Sequence, residues 1–223
     1  MRADLEAIAR WVAPGSRVLD LGCGDGSLLR YLWEANKAPG YGVEIDDDSV
    51  LACVANDVNV LQVDLESGLS LFADQSFEYV ILSQTLQAVH HTEGILREML
   101  RVGREAIVSF PNFGHWSHRL QVLAGRMPVS KSLPYEWYNT PNVHLCTVAD
   151  FDAFCSRRGF QVLERAVKID PNYPDVRVLL GRAYMAAGRR EDAQKEFAAA
   201  QRLSEDERRR LEEKVSGQKP KKP

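Results

Sequence analysis

A chain of 223 residues with 45% hydrophobic and 26% charged side chains is long enough for one full-size domain with a small appendage, and its composition is that of an ordinary globular protein. No apolar run approaches ~20 residues, and the opening MRADLEAIARW carries acids without a small-residue cleavage pattern. Neither a membrane span nor a signal peptide is therefore expected, and the expected location is the cytoplasm. The net charge of −3 points to no nucleic-acid or membrane partner, but the first 170 residues hold 15 basic and 22 acidic side chains against 13 and 9 in the remainder, as two modules would.

An amphipathic helix carrying Leu5, Ile8, Ala9 and Val12 opens the chain and stops at Pro14-Gly15. Short apolar runs follow, RVLDLG, YGVEID, VNVLQVD, FEYVILS and EAIVSF, separated by the helical patterns SLLRYLWEA, DSVLACVA and TEGILREMLRV. Strands apolar on both faces and alternating with helices predict an α/β fold, a doubly wound, mostly parallel sheet covered on both sides. Residues 112–147 break the pattern: two Trp, two Tyr, three His and three Pro without a period read as a lid or binding loop. DFDAFCSRRGF then resumes a helix closed by Gly159, and FQVLERAV reads as a further strand.

Past Asp170 the texture becomes all-α. Leu180, Gly181, Ala183, Tyr184, Gly188, Ala193, Phe197 and Ala200 stand in the order of a tetratricopeptide repeat, and Ala166 to Ala200 spans that repeat's length of 34 residues. The predicted organisation is an α/β domain over 1–170, a helical hairpin over 171–216, with SEDERRRLEEKVSG as a charged cap, and a disordered tail over 217–223. A single repeat cannot bury its own face. The hairpin is therefore expected to dock on the first domain, to pair with another chain, or to be a loosely folded remnant, and the sequence leaves the three open.

The segment RVLDLGCGDGSLLRYL is strand, glycine turn and helix in succession. Such turns ordinarily cradle phosphates on free helix N–H groups. Here Asp20 ends the strand and Asp25 sits among Gly22, Cys23, Gly24 and Gly26, and paired carboxylates repel a pyrophosphate and attract a cation. That favours S-adenosylmethionine, with its ammonium and sulfonium groups, over NAD. Glu44, at the end of the next strand with Ile45 beside it, stands 20 residues after Gly24, where an acid accepts from ribose hydroxyls. Asp64 and Leu65 follow the third strand, the Asp placed to accept from an adenine amino group and the Leu to lie against the ring. Ser83 and Gln84, where FEYVILS runs out, complete the expected cofactor set. Cys23, Cys53, Cys146 and Cys155 form no CxxC pair and are expected as reduced thiols. His90-His91 has no acidic or Cys partner at ligand spacing, so no metal site is expected.

In order, each at the carboxyl end of a strand, these residues resemble a class I S-adenosylmethionine-dependent methyltransferase, Rossmann-like in fold. The segments VLDLGCGDG, GYGVEIDDDSVLACV, VILSQTLQAVHHTEGILREMLRVGREAIVSFPNFGHW and LPYEWYNTPNVHLCT carry the likeness further: over about residues 1–165 the chain resembles the methionine biosynthesis protein MetW family. The resemblance implies a cytoplasmic bacterial protein of the methionine pathway with a methyltransferase-like fold that works beside homoserine O-acyltransferase (MetX). Members of that family finish in strands after the position of Phe160, whereas here the repeat-like sequence begins at that point. LERAVKID is open to both readings, strand or repeat helix.

Methyl transfer is carried largely by alignment of the acceptor with the sulfonium carbon, so no side chain is obligatory as catalyst. His115, Tyr135, Tyr138 and His144 are the candidate bases or substrate clamps. The leading expectation is instead a cofactor-binding partner of the acyltransferase, with Trp116, Trp137 and Tyr138 suited to an interface, and methyl transfer to an unidentified acceptor is the alternative.

Overall fold

The computed structural model describes residues 3–130 and 133–164, and further on residues 190–191, 194–195, 197–199, 201–202 and 205. The chain divides into two compact units, Met1–Arg165 and Ala166–Pro223. The described residues of the second unit are helical. The remainder of the predicted hairpin, its charged cap and the predicted tail lie outside the described residues.

In the first unit every predicted apolar run up to Ser109 forms a strand. β1 (Val18–Leu21), β2 (Gly40–Glu44), β3 (Val60–Gln62), β4 (Phe77–Ser83) and β5 (Gly103–Ser109) pair in parallel in the order β3-β2-β1-β4-β5. The order reverses at β1 and β4, and open α/β sheets bind ligands beyond the carboxyl ends of the strands at such a switch point.

Alternation along the central strands builds two cores. Leu19, Leu21, Val80 and Leu82 pack with Ile95, Leu96, Met99 and Val102 of α4 (Thr92–Val102) and with Phe151 and Phe154 of α6 (Val148–Arg158). Val18 and Ile81 face the other way, onto Ile8 and Val12 near α1 (Ala3–Trp11), Leu28, Leu29 and Leu32 of α2 (Ser27–Asn36) and Cys53 of α3 (Asp47–Ala55). Both faces of the sheet are covered, as the continuous apolar runs require.

Residues 112–147 are less irregular than their sequence implies. Trp116–Leu123 forms α5, whose apolar positions are too exposed to leave a clean periodic signature. α6 starts at a capping box, Thr147 with Asp150, and ends at Gly159 in the left-handed region, φ 76°. Among the described residues Phe160–Glu164 forms neither strand nor helix, so that part of the predicted sixth strand is absent; residues 165–170 lie outside the described residues.

Candidate cofactor site

β1 delivers Asp20 to the carboxyl edge of the sheet, 2% exposed and flanked in register by Gly42 of β2 and Ile81 of β4. The chain then turns through glycines in the left-handed region. A Cβ on Gly22 would lie 2.7 Å from Thr85 Oγ1, so this glycine lets the turn close on the segment after β4. Gly24, at φ 56°, has no atom within 4 Å of its notional Cβ; the backbone there faces open space. Gly26 caps the start of α2.

The Glu44 carboxylate ties this turn to the end of β2. Its Oε2 accepts the Gly24 N–H at 2.8 Å, and its Oε1 accepts the N–H groups of Ile45 at 2.8 Å and Asp46 at 3.1 Å. A carboxylate offers about four lone-pair sites, so one, on Oε2, is left for a ligand hydroxyl. Asp25 lies at the surface of the turn, where its Oδ1 accepts the Ser27 N–H at 3.0 Å and so supports the first turn of α2.

Two thiols lie beneath the turn. Cys23 and Cys53 place their sulfurs 3.7 Å apart, and the Cys53 thiol donates to the Gly24 carbonyl at 3.1 Å. Burial pushes the Cys23 thiol well above its ordinary range, and the Asp20 carboxylate adds to the shift; burial also raises Cys53. These sulfurs are packing groups and weak donors rather than nucleophiles.

Past β3, Asp64 is exposed and its Oδ1 accepts the Glu66 N–H at 2.9 Å, capping a single 3-10 turn over Leu65–Ser67. Leu65 is half-buried and Ile45 is exposed. At the end of β4, Gln84 adopts φ 59°, a left-handed conformation that a side chain rarely takes. It is held there by its N–H on the Ser109 carbonyl at 2.9 Å and by its Nε2 on Ser109 Oγ at 3.1 Å; Ser83 Oγ meets the same hydroxyl at 3.1 Å.

The candidate acceptor-side residues divide. His144 is fastened to the segment that follows β4: the N–H groups of Val143 and His144 donate to the Gln87 carbonyl at 2.8 and 3.0 Å, and His144 Nε2 lies 3.3 Å from the His90 carbonyl. Gln87 belongs to the 3-10 turn Leu86–Ala88 that follows Thr85, and its Oε1 is buried without a hydrogen-bond partner among the described residues. His115 precedes α5, its Nδ1 2.8 Å from Ser117 Oγ. Tyr135 and Tyr138 are exposed, and no hydrogen bond joins either to His144 among the described residues.

Several contributors had no local signal in the sequence. Thr85, Ser109 and Gln87 matter only because β4 lies between β1 and β5. His118, buried, bridges the Asn112 carbonyl at 3.2 Å and Ser130 Oγ at 3.0 Å. His91 does have an acidic partner, Glu66, at 2.6 Å, brought from 25 residues away. No cluster of three metal-ligating side chains occurs among the described residues.

A family model for the methionine biosynthesis protein MetW matches residues 2–180. The chain belongs to the MetW family. A tetratricopeptide repeat model matches residues 157–211, so residues 157–180 fall under both descriptions. Over 160 residues this MetW chain is 42% identical to the bifunctional methionine biosynthesis protein MetXA/MetW of Rhodopirellula baltica, covering 67% of this chain and 26% of that protein. Over 149 residues it is 31% identical to the ubiquinone/menaquinone biosynthesis C-methyltransferase UbiE of Ectopseudomonas mendocina, covering 56% and 57%. The MetW chain thus spans less than two thirds of the length of these curated relatives.

Solved structures share the fold. A SAM-dependent methyltransferase from Archaeoglobus fulgidus superposes with a TM-score of 0.56 at 17% identity, over 75% of this chain and 76% of that one. One from Thermotoga maritima gives 0.54 at 22%, over 71% and 70%. Identities this low establish a methyltransferase-like fold and no more. Among the described residues of this MetW protein, no helix is long and apolar enough to cross a membrane.

Proposed function

We propose that the chain binds S-adenosylmethionine at the glycine turn and, in that state, supports a homoserine O-acyltransferase of the MetX type in the cytoplasm. The observation that carries the cofactor reading is the Gly24–Glu44 bond beside open space: an anionic strand end with one free acceptor lies against backbone that no side chain covers. The ribose would use the remaining Oε2 lone pair of Glu44. The buried carboxylate of Asp20 favours the cationic amino-acid end, and Asp64 and Leu65 would receive the adenine. Ser83 and Gln84, fixed on Ser109, would border the methyl-bearing side.

The partner reading is supported by the relative that carries MetXA and MetW on one chain, a link between the two activities. The repeat-like segment is a further surface for protein contact. The division into an α/β domain over 1–170, helices over 171–216 and a tail over 217–223 belongs to the same reading.

Methyl transfer to an acceptor is the second reading, favoured by His144, whose backbone and ring are both anchored on the segment that follows β4. The experiment that separates the two measures the acyltransferase rate alone, with this chain, and with its Asp20→Ala and Glu44→Ala variants. The partner reading expects stimulation by the chain, with the variants weaker. An indifferent acyltransferase contradicts the partner reading.

A further inference from the structure

The segment that follows β4 is pinned at both ends. At its start, Gln84 is held in the left-handed region by Ser109, and Thr85 lies against Gly22 of the glycine turn. At its end, Glu66 takes hold: its Oε1 accepts the His90 N–H at 2.6 Å, and its Oε2 lies 2.6 Å from His91 Nδ1. The Glu66 side chain is 28% exposed and that of His91 82%, so the backbone bond to His90 carries more of the hold than the solvated imidazole. Between the two pins, Gln87 Nε2 donates to the Gln84 carbonyl at 2.6 Å and closes the turn on itself.

This segment carries a strap. The Gln87 carbonyl accepts the N–H groups of Val143 and His144, the His90 carbonyl lies 3.3 Å from His144 Nε2, and two residues further on the Cys146 carbonyl accepts the Phe113 N–H at 3.0 Å. Val143, His144 and Leu145 are all exposed, so hydrogen bonds rather than buried apolar surface hold the strap in place. A stretch held in this way opens locally at low cost. It therefore has the two arrangements, seated and released, that coupling between sites requires.

Glu66 joins the support of this strap to the ligand side. Its own N–H donates to Asp64 Oδ1 at 2.9 Å, and the Ser67 hydroxyl donates to the Asp64 carbonyl at 2.7 Å. The acid proposed to meet the adenine and the acid that holds His90 thus share one single-turn 3-10 helix with its cap. Resting on the cofactor reading above, we propose that Glu66 is a positioning residue through which a nucleoside bound at Asp64 and Leu65 seats residues 143–146 on Gln87. Ordering the turn fixes Glu66, and Glu66 fixes the segment on which the strap rests. Linkage makes the effect reciprocal: releasing the strap weakens the ligand by the factor with which the ligand seats it.

The test follows amide hydrogen exchange of the full chain by mass spectrometry, with and without saturating S-adenosylmethionine, and compares a peptide over residues 141–147 with one over β4. Calorimetry supplies the affinities. The variants are Glu66→Ala, Glu66→Gln, which keeps an acceptor for the His90 N–H, and Val143→Pro, which removes one strap donor at an exposed position. In the wild type the ligand is expected to slow exchange over 141–147 by about fivefold or more. Glu66→Ala is expected to speed exchange there but not in β4, and to abolish the effect of the ligand; Glu66→Gln is expected to keep part of it. Val143→Pro is expected to weaken S-adenosylmethionine binding by about the factor of the protection. A wild type that binds the ligand without a change over 141–147, or a folded Glu66→Ala that the ligand protects as it does the wild type, overturns the relay and leaves the cofactor reading standing. If Glu66→Ala does not melt cooperatively, Val143→Pro decides, and an affinity equal to that of the wild type overturns the relay. A wild type that binds no ligand overturns both.

Discussion

The Glu44 carboxylate at the end of β2 accepts the Gly24 amide of the glycine turn at 2.8 Å, joining two elements 20 residues apart into one rim. Because its other oxygen holds two further backbone amides, Glu44 is a strut of the turn, whatever ligand its remaining lone pair is proposed to meet. Glu44→Gln keeps the shape but gives up one acceptor oxygen, leaving an amide unpaired. We expect a loss of about 1–3 kcal/mol in stability, read by urea denaturation, together with weaker S-adenosylmethionine binding. An unchanged denaturation midpoint would contradict the strut.

Two glycines of the turn separate folding from binding. Gly22→Ala meets both the left-handed backbone, worth about 1–2 kcal/mol, and the Thr85 side chain at 2.7 Å, so it lowers the melting temperature, with partial rescue by Thr85→Ala. Gly24→Ala meets only the backbone cost, since nothing lies within 4 Å. It is expected to fold and to lose ligand affinity, because its methyl enters the space the cofactor would occupy. Equal effects of the two substitutions on calorimetric binding and on melting would contradict this.

Thiol chemistry reports the packing under the turn. Burial pushes the Cys146 thiol up to about 11, and burial with the nearby Asp20 carboxylate pushes Cys23 higher still. At pH 8 both are protonated, so iodoacetamide labels the folded protein slowly. Cys146, half-buried, reacts ahead of the buried Cys23 and Cys53, and all accelerate on unfolding. Peptide mass spectrometry over time checks the order; rapid labelling of Cys23 would contradict the buried thiol pair.

Acid stability carries the mark of a pair at the opposite end of the sheet. Arg17 donates to both oxygens of Glu78, at 2.7 and 2.8 Å, which holds that carboxyl at about 2 instead of its ordinary 4.5. A depressed folded-state value stabilises above about pH 4.5, and that contribution is lost as pH falls toward 2. The wild type should melt above Glu78→Gln at neutral pH, and the difference should close through that window. A difference independent of pH would refute the assignment.

The strands and the glycine turn were legible in the sequence because each rests on local signals: β-branched runs, left-handed glycines and an acid at or just past the end of each of the first three strands. Cys23–Cys53, Gly22–Thr85, Gln84–Ser109 and His91–Glu66 were not, since these contacts depend on strand order and join residues 25 to 63 apart. Asp64 follows β3 as its sequence position implies, and one of its oxygens caps a turn, a local use that the sequence reading did not assign to it. Helix α5 escaped notice because Leu120, Val122 and Leu123 point outward, leaving no buried stripe to set a period. The strand expected after Phe160 is missing from Phe160–Glu164, where the repeat-like match already begins.

Titration calorimetry with S-adenosylmethionine bears most directly on the central claim. The account predicts one site per chain with a dissociation constant on the order of 1–100 μM, abolished or greatly weakened by Asp20→Ala and Glu44→Ala in variants that still melt cooperatively. Absence of binding heat from the folded wild type at about millimolar ligand, confirmed by an unchanged melting temperature, would contradict it.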